Sequence, residues 1–324
     1  MKRIALVTTG GTIAGLAASN TDLTGYTAGA LGSAELLAAV PAIGTLADIV
    51  PEALYAIDSK DALPTHWLQL ARRVAQRLAD PTIDGVVITH GTDTLEESAY
   101  FLHLLLPIGK PVVFTAAMRP ASALSADGPM NLHQAVGVAA SGITADLGVV
   151  IVMNGEIHGA RDVCKTHTQA LSALSSPNGG PLGRADPPHL TRRPTATDGG
   201  CLPLARLGNT DTLPEVALLT VASGVSPIFL QLTATLCAGI VLALPGQGSL
   251  PASWQTTVDQ LAAGGLPMVR CSRTGAGPVF DQGAPPLWPA RDLGPSKARI
   301  ALIVALAAGD AALFRVIAGP AVLA

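Results

Sequence analysis

Short apolar runs alternate along the chain with segments in which apolar residues recur at helical spacing. Residues 4–9 are apolar and end at a glycine pair, a pattern typical of a buried strand followed by a tight turn. Apolar residues from Trp67 to Leu78 keep helical spacing and predict a helix with Thr65 as its N-cap. Residues 14–33 are small and polar and have no periodicity, so we predict a loop that can move.

The same alternation continues along the rest of the chain. It predicts strands over residues 83–89, 111–117, 147–153, 215–221, 239–244 and 267–272. It predicts helices from residue 33 and over residues 93–106, 131–141, 228–237, 254–263 and 296–308. Strands and helices that alternate at this interval are typical of β-α-β units with parallel strands. We therefore predict an α/β fold with a doubly wound N-terminal sheet domain and a smaller C-terminal α/β domain.

One long segment interrupts this alternation. Residues 175–212 are rich in proline, glycine and arginine and have no periodicity, which indicates a long excursion or an interdomain linker. We predict an N-terminal catalytic domain over residues 1–190, a linker over 191–212 and a C-terminal domain over 213–324. In open α/β sheets ligands bind beyond the carboxyl ends of the strands, so the residues that follow each predicted strand are the candidates for a site.

The composition excludes several classes of protein. The 324 residues have a formal net charge of −3, so no basic surface is available to bind nucleic acid through its phosphates. Only 13% of the residues are charged, and a surface with so few charges predicts a homo-oligomer. Serine, glycine and proline residues divide the charge-free stretch between Glu215 and Asp259 into pieces shorter than the ~20 residues that span a bilayer. We predict no nucleic-acid or membrane partner.

The sequence predicts neither export nor a bound cofactor. The apolar run at residues 4–9 is shorter than the core of a signal peptide and no small-residue cleavage site follows it, so we predict a cytoplasmic protein. The four cysteines form no C-x-x-C pair, and the seven histidines form no H-E-x-x-H motif. Because ligand clusters and a phosphate-binding loop are both absent from the sequence, we predict no metal and no organic cofactor.

Thr12 follows the first predicted strand and its glycine pair. Two glycines let the backbone approach a ligand closely and leave N–H groups exposed beside a hydroxyl, which suits a nucleophile with oxyanion donors. A dinucleotide-binding loop would have its glycines in a G-x-G-x-x-G pattern, whereas the glycines here are Gly10, Gly11 and Gly15. On this segment alone, a purely structural turn fits equally well.

Thr92 and Asp93 follow the strand predicted over residues 83–89. Asp93 and Glu96 have the spacing of a helix capping box, which is one interpretation. The other interpretation is a hydroxyl and a carboxylate side by side at the edge of the sheet, where Asp93 can bind a substrate ammonium group. Lys165 is either a solvated surface charge or, if the fold brings it to Thr92, an amine that can remove the hydroxyl proton.

Several segments together resemble the signature motifs of the bacterial L-asparaginase family. They are TTGGTIAG at residues 8–15, HGTDTLEESAY at 90–100, AMRP at 117–120, DGP at 127–129 and GARDVCKT at 159–166. In the C-terminal part, VRCSR at residues 269–273 and PSKAR at 295–299 resemble the second domain of the family. The resemblance covers essentially the whole chain, in order and at compatible spacing. It implies an amidohydrolase that cleaves the side-chain amide of L-asparagine and assembles as a homotetramer of intimate dimers.

The resemblance also implies catalytic roles for individual residues. Thr12 would be the nucleophile that forms an acyl-enzyme, and Tyr26 on the loop would be its partner. Thr92, Asp93 and Lys165 would form a second catalytic group. Chemistry alone favours Thr92 as the nucleophile, because Lys165 is a better base than a phenol whose reference pKa is about 10. The resemblance favours Thr12, and we follow the resemblance.

The substrate-binding residues are also implied by the resemblance. Ser59 and Asp93 would bind the α-carboxylate and the α-ammonium group of the substrate, and Gly11, Asp58 and Thr92 would complete the substrate site. Main-chain N–H groups near the two catalytic threonines would stabilise the oxyanion. The chain departs from the family pattern at residue 60, where a lysine stands in place of the usual glutamine, glutamate or small polar residue. A cation directed into the site would repel the substrate ammonium group.

Three functions remain open at this point. The first is an asparaginase that releases aspartate and ammonia. The second is a dual glutaminase-asparaginase, because one methylene is worth only about 1–3 kcal/mol of discrimination. The third is a non-catalytic sensor that binds an amino acid in the same pocket. The family site also takes an acidic residue from a neighbouring subunit, and here the matching loop offers Asp281 or Asp292.

Overall fold

The computed structural model describes residues 1–194, 199–281 and 286–319. The chain divides into two compact units, Met1–Leu204 and Ala205–Ala324. The first unit contains an eight-stranded sheet, and the second unit contains a four-stranded sheet. Helices pack against each of these two sheets. The predicted fold class, a larger N-terminal α/β domain plus a smaller C-terminal one, is confirmed.

Most of the first unit is built on one mixed sheet. The strands of the first unit are β1 (Arg3–Gly10), β2 (Leu16–Ala17), β3 (Tyr26–Thr27), β4 (Asp48–Ile57), β5 (Gly85–Thr89), β6 (Val112–Thr115), β7 (Val149–Met153), β8 (Glu156–Gly159), β9 (Cys164–Lys165), β10 (Leu174–Ser175), β11 (Gly183–Ala185) and β12 (Pro188–Leu190). Strands β2 and β3, and strands β9 and β10, form two separate two-stranded sheets. The helices of this unit are α1 (Ser33–Ala38), α2 (Pro64–Ala79), α3 (Leu95–Leu105) and α4 (Gly128–Ser141). The order in the eight-stranded sheet is β12-β11-β8-β7-β6-β5-β1-β4. Strands β7, β6, β5, β1 and β4 are parallel, and β8, β11 and β12 extend the sheet with antiparallel pairs.

Apolar side chains on both faces of the parallel strands pack against helices. Ile4 and Leu6 of β1 belong to a buried cluster that also contains Leu132 of α4. Because side chains alternate along a strand, the residues between them face the opposite side of the sheet. Helices α2 and α3 pack together, with the rings of Trp67 and Phe101 5.9 Å apart, and contact β5 and β7. This rigid support fixes the carboxyl ends of the strands.

Strand β4 has no counterpart among the elements predicted from the sequence. It lies at the edge of the sheet, pairs with β1, and is half-buried or exposed over its ten residues. Pro51 has no backbone N–H to donate, which a strand tolerates at the edge of a sheet. Glu52 accepts ion pairs from Arg73 at 2.9 Å and Arg77 at 2.6 Å. The strand ends at the same edge of the sheet as β1 and leads directly into Ser59.

The prediction that residues 175–212 form an irregular excursion or linker is wrong for part of this segment. Strands β11 and β12 form an antiparallel hairpin within this segment, and β11 pairs with β8 of the main sheet. Each of the two strands is three residues long. Alternation of apolar and polar residues is not recognisable over so few positions, so the sequence offered no strand signal here.

The N-caps of α2 and α3 differ from those predicted. Helix α2 begins at Pro64 with Leu63 as its N-cap, so Thr65 lies inside the first turn and is not the N-cap. Proline is favoured at the first helical position because its missing N–H would have no partner there. Helix α3 begins two residues after Asp93, and its N-cap is Thr94. The capping-box interpretation of Asp93 is therefore wrong.

The second unit is a parallel sheet covered by helices. Its strands follow one another in the sheet as β13 (Val216–Thr220), β14 (Gly239–Leu244), β15 (Met268–Ser272) and β16 (Trp288–Pro289). Its helices are α5 (Ile228–Ala234), α6 (Gln255–Ala263), α7 (Pro295–Ala307) and α8 (Leu313–Ala318). Leu242, Trp254 and Val258 are at the centre of its core. In the described part of the chain, no helix has the length and apolar character needed to cross a membrane.

Candidate active site

A glycine turn ends β1 and brings two strand ends into contact. Gly10 and Gly11 have φ angles of 101° and 78°, which glycine adopts at little cost. A Cβ atom on Gly11 would lie 2.4 Å from the backbone nitrogen of Gly91, which follows β5. Only a residue without a side chain fits at Gly11. Thr12 and Thr92, each one residue beyond this glycine contact, are thereby brought to the same edge of the sheet.

Thr12 is buried and its hydroxyl has a phenol as its partner. The side-chain oxygens of Thr12 and Tyr26 are 2.7 Å apart. Tyr26 lies in β3, which pairs with β2 within the loop predicted over residues 14–33. This loop is closed over the turn and bound to a second loop: Ala17 N donates to Ser122 Oγ at 2.8 Å.

Thr92, Asp93 and Lys165 form a second cluster. Lys165 Nζ lies 2.8 Å from Thr92 Oγ1 and 2.6 Å from Asp93 Oδ1. Thr92 is buried, and the Lys165 side chain is only 18% exposed. An amine at hydrogen-bond distance from a hydroxyl and a carboxylate is placed to exchange a proton with that hydroxyl. The sequence left two interpretations of Lys165 open, a solvated surface charge or an amine next to Thr92. The fold brings Lys165 to Thr92.

Ser59 joins the same edge from β4. It is buried at the start of a short 3-10 turn, Ser59–Asp61, and its carbonyl accepts the hydroxyl of Thr94 at 2.7 Å. A Cβ atom on Gly91 would lie 2.6 Å from Ser59 Oγ. The hydroxyl of Ser59 therefore lies directly against the segment that contains Thr92. The three neighbouring strands β4, β1 and β5 thus deliver three hydroxyls to one edge.

Asp58 and Lys60 bind each other. Asp58 Oδ2 accepts the ammonium group of Lys60 at 2.5 Å, and Asp58 Oδ1 accepts the backbone N–H of Lys60 at 3.3 Å. Asp61 lies 3.7 Å from the same ammonium group, and hydrogen bonding to Asp58 raises the pKa of Lys60. The side chain of Lys60 is 62% exposed. The positive charge of Lys60 is therefore paired with the carboxylates of Asp58 and Asp61. The substrate-binding role of Asp58 stays a prediction.

Backbone N–H groups of both candidate threonines are without an acceptor among the described residues. Within residues 1–194, 199–281 and 286–319, the N–H groups of Thr12 and Thr92 donate no hydrogen bond. By contrast, the N–H of Gly11 is bonded to the carbonyl of Ile57 at 2.9 Å. Unbonded N–H groups beside a nucleophile are the donors that an oxyanion requires. The N–H groups of Thr12 and Thr92 are therefore candidates for the oxyanion donors that we predict near the two threonines.

The sequence did not single out Glu96 as part of the site. Its carboxylate accepts the backbone N–H of Lys165 at 2.7 Å. The sequence signals at this residue are the capping-box spacing with Asp93 and its place in the HGTDTLEESAY segment, and neither indicates a contact with Lys165. Asp281 and Asp292, the two acidic candidates for a neighbouring subunit's site, lie in the second unit, where Asp281 contacts Arg291 at 3.5 Å.

His90, one residue before the glycine contact, is buried in its neutral form. Burial lowers the pKa of His90 to about 4, and its Nδ1 lies 2.9 Å from the carbonyl of Gly91. Between pH 6.5 and 4 the unfolded chain binds a proton that the folded chain does not bind. The free energy of unfolding therefore decreases as the pH falls through this window, by up to about 3 kcal/mol at 1.36 kcal/mol per pKa unit.

We expect His90→Asn to remove about 3 kcal/mol of acid sensitivity, because asparagine keeps a donor for the Gly91 carbonyl and does not titrate. Urea unfolding at pH 7 and pH 4 measures the difference. His189→Asn is the matched control, because exposed His189 also has its Nδ1 near a carbonyl, that of Pro187 at 2.8 Å. Equal loss of stability in wild type and His90→Asn would contradict the assignment.

Candidate metal ligands are dispersed in the described part of the chain. No group of three or more histidine, cysteine, aspartate or glutamate residues there is arranged to hold a metal ion. The described cysteines are all free. The groups brought together at this edge are threonine hydroxyls, a phenol, a lysine amine and a carboxylate. These groups suit nucleophilic attack on a carbonyl carbon with general acid–base assistance.

Known proteins are similar to this chain over nearly its full length. Residues 3–196 match the family model "Asparaginase, N-terminal" and residues 215–313 match "Glutaminase/Asparaginase C-terminal domain". A probable periplasmic L-asparaginase of Haemophilus influenzae is 38% identical over 94% of this chain and 89% of the relative. A glutaminase-asparaginase of Pseudomonas fluorescens is 36% identical over 94% and 86%. The crystal structure of a probable cytoplasmic L-asparaginase from Campylobacter jejuni has a TM-score of 0.89 and 38% identity over 98% and 99% of the two chains. The motif resemblance is thus confirmed, and the chain belongs to the L-asparaginase/glutaminase family of hydrolases.

Proposed function

We propose that this chain hydrolyses L-asparagine to L-aspartate and ammonia through an acyl-enzyme formed on Thr12. The observation that carries the proposal is the contact between Gly11 and Gly91. It brings a threonine bonded to a phenol and a threonine bonded to a lysine–aspartate pair to one edge of a sheet. Two hydroxyls with separate proton-transfer partners suit a reaction in which an acyl group is first transferred to the enzyme and then to water.

In the first step, Thr12 Oγ1 attacks the carboxamide carbon of the substrate. Its proton passes to the Tyr26 oxygen while Tyr26 passes its own hydroxyl proton on towards the amide nitrogen. The unbonded N–H groups of Thr12 and Thr92 stabilise the negative charge on the carbonyl oxygen. The C–N bond then breaks, and ammonia leaves with a proton returned by the site. In the second step, water activated by the Thr92–Lys165 pair attacks the ester carbon and releases aspartate and the Thr12 hydroxyl.

The amino-acid part of the substrate is bound by Ser59 and Asp93. Oδ1 of Asp93 contacts Lys165, whereas Oδ2 accepts no hydrogen bond among the described residues, so it is available to the substrate ammonium group. Ser59 Oγ likewise has no partner in the described chain and can donate to the α-carboxylate. The backbone of Gly11 and Thr92 completes the substrate site between Ser59 and Asp93.

Ammonia release by the purified chain tests the proposal. We expect release with L-asparagine, much slower release with L-glutamine, and none with either amino acid in a Thr12→Ala variant. Comparable rates with both amides would favour a dual glutaminase-asparaginase, the activity named for the Pseudomonas relative. Calorimetric binding of asparagine without ammonia release would favour a non-catalytic sensor and contradict the proposal.

We also propose that the chain assembles as a homotetramer. The chain exposes large apolar side chains on α5, with Ile228 at 51%, Phe229 at 57% and Leu232 at 60% exposure, and just beyond its end at Leu236, which is 78% exposed. A group of exposed apolar side chains of this kind is typical of a protein interface. Sedimentation equilibrium should give about four times the chain mass of 32.8 kDa. A fully active species at the mass of one chain would contradict it.

We also propose a cytoplasmic location. The Campylobacter relative is named as cytoplasmic, and free cysteines are ordinary in that compartment. The Haemophilus relative is named as a probable periplasmic enzyme, so the names of the two relatives differ in compartment. Fractionation of cells that express the native gene distinguishes the two compartments. Activity released by osmotic shock would contradict a cytoplasmic enzyme.

A further inference from the structure

Lys165 lies on one of the least supported elements of the first unit. Strand β9 has two residues and pairs with β10, which also has two, in a sheet separate from the eight-stranded one. Two-stranded ribbons of this size are marginally stable by themselves. Thr92, in contrast, follows a fully buried strand in the centre of the main sheet. The 2.8 Å contact between Lys165 and Thr92 therefore needs a support beyond the β9–β10 pairing.

Glu96 connects these two parts of the molecule. It lies in the first turn of α3, four residues after Thr92, and its Oε2 accepts the backbone N–H of Lys165 at 2.7 Å. A hydrogen bond from a backbone N–H to a carboxylate is stronger than one between neutral groups. The bond joins residues 69 positions apart in the sequence. The segment that contains Thr92 and Asp93 thus also holds the backbone of the lysine whose amine contacts them.

We propose that Glu96 is a positioning residue for Lys165 in the hydrolytic reaction. Its carboxylate fixes the backbone of Lys165, and this restricts where the four-carbon side chain can place Nζ. Without the bond, the β9–β10 hairpin moves relative to α3 and the Nζ–Thr92 Oγ1 contact is populated less often. The inference rests on the proposed function, because it assigns a role to the partner of Lys165. Glu96 acts through the backbone of Lys165, so it is a positioning residue and not a catalytic one.

A purely structural role for Glu96 makes a different prediction. An acidic residue in the first turn of a helix interacts favourably with the helix dipole, worth about 0.3–1 kcal/mol. Removal of Glu96 therefore lowers stability under either explanation, and a lower melting temperature does not distinguish them. The discriminating quantities are kcat, measured separately from KM, and the exchange of the Lys165 amide proton.

Three variants test the proposal. Glu96→Ala removes the acceptor, and Glu96→Gln keeps a carbonyl oxygen at the same position without the charge. Asp162→Ala is the matched control: Asp162 accepts the backbone N–H groups of Asn178 and Gly179 at 3.1 and 2.8 Å, so it is also a carboxylate that anchors backbone, but not that of Lys165.

We expect Glu96→Ala to lower kcat for asparagine about 10- to 100-fold with KM within about twofold, the cost typical of a catalytic group displaced by about 1 Å. Glu96→Gln should recover kcat to within about fivefold of wild type, because the hydrogen bond is retained. Asp162→Ala should lower the melting temperature and leave kcat within about twofold. A Glu96→Ala enzyme with wild-type kcat, or Asp162→Ala with an equal loss of kcat, would overturn the inference.

Hydrogen exchange provides a readout that does not depend on activity. In mass spectrometry of the intact chain, Glu96→Ala should accelerate exchange of a peptide that contains residues 164–166 by at least about tenfold, and Asp162→Ala should not. If asparagine is not hydrolysed by wild type but this acceleration occurs, the proposed function fails while the anchoring of Lys165 by Glu96 stands. Unchanged exchange in Glu96→Ala would refute the anchoring, whatever the activity.

Discussion

Replacing Thr12 with alanine should lower kcat for L-asparagine by about 10⁴-fold or more, with the chain still folded. The substitution removes the hydroxyl that attacks the substrate, and loss of a covalent nucleophile typically costs several orders of magnitude. The fold should tolerate the change because alanine fits the buried turn and loses only the 2.7 Å bond to Tyr26. Steady-state ammonia release and circular dichroism measure the two effects. Thr12→Ser, which keeps the hydroxyl, is the matched control and should retain most of the activity.

Covalent labelling distinguishes the roles of the two threonines. An electrophilic asparagine analogue should label wild type and Thr92→Ala but not Thr12→Ala, as detected by the intact mass of the protein. Thr92→Ala should nevertheless lose several orders of magnitude in kcat, because the hydroxyl next to Lys165 is then absent. Labelling of Thr12→Ala together with none of Thr92→Ala would reverse the assigned roles.

Lys165→Met should lower kcat by about 10³-fold, within the range of about 10²–10⁴ typical of general acid–base groups. Methionine keeps the apolar length of the side chain but can neither take a proton from Thr92 nor pair with Asp93. The matched control is Lys110→Met: Lys110 Nζ also has two oxygen acceptors, the carbonyls of Leu78 and Asp80 at 2.8 and 2.7 Å. The control should lose stability but keep its kcat. More than a tenth of wild-type kcat in Lys165→Met would contradict the role of this amine.

The central strands of the first unit could be predicted because they are buried on both faces. A strand such as β5, in which all five residues are buried, is a short apolar run that has no other common interpretation. Strand β4 could not be recognised in this way, since Asp48, Pro51 and Glu52 interrupt its apolar residues. Its pairing with β1 depends on the exposed edge of the sheet, which is a property of the tertiary fold.

The candidate site could be predicted only in part from local sequence. Thr12 and Thr92 were recognised as candidates because each follows a predicted strand and a glycine. The contact between Thr92 and Lys165 spans 73 residues, and no local pattern specifies it; it followed from the family resemblance. The spacing of Asp93 and Glu96 predicts a capping box with Glu96 at its third helical position. The acceptor role of Glu96 has no local signal, because it depends on a backbone N–H from a distant hairpin.

The contact between Gly11 and Gly91 limits the evolutionary paths open to this enzyme. A Cβ atom at residue 91 would lie 2.6 Å from Ser59 Oγ and 3.3 Å from Gly11 Cα, and one at residue 11 would collide with the backbone of Gly91. A larger residue at one position cannot be compensated at the other, since neither glycine has a side chain to lose. New substrate preferences therefore have to arise outside this pair, in the loop that contains Tyr26 and in the turn after β4. Divergent descendants should share the two glycines long after those loops have become unrecognisable.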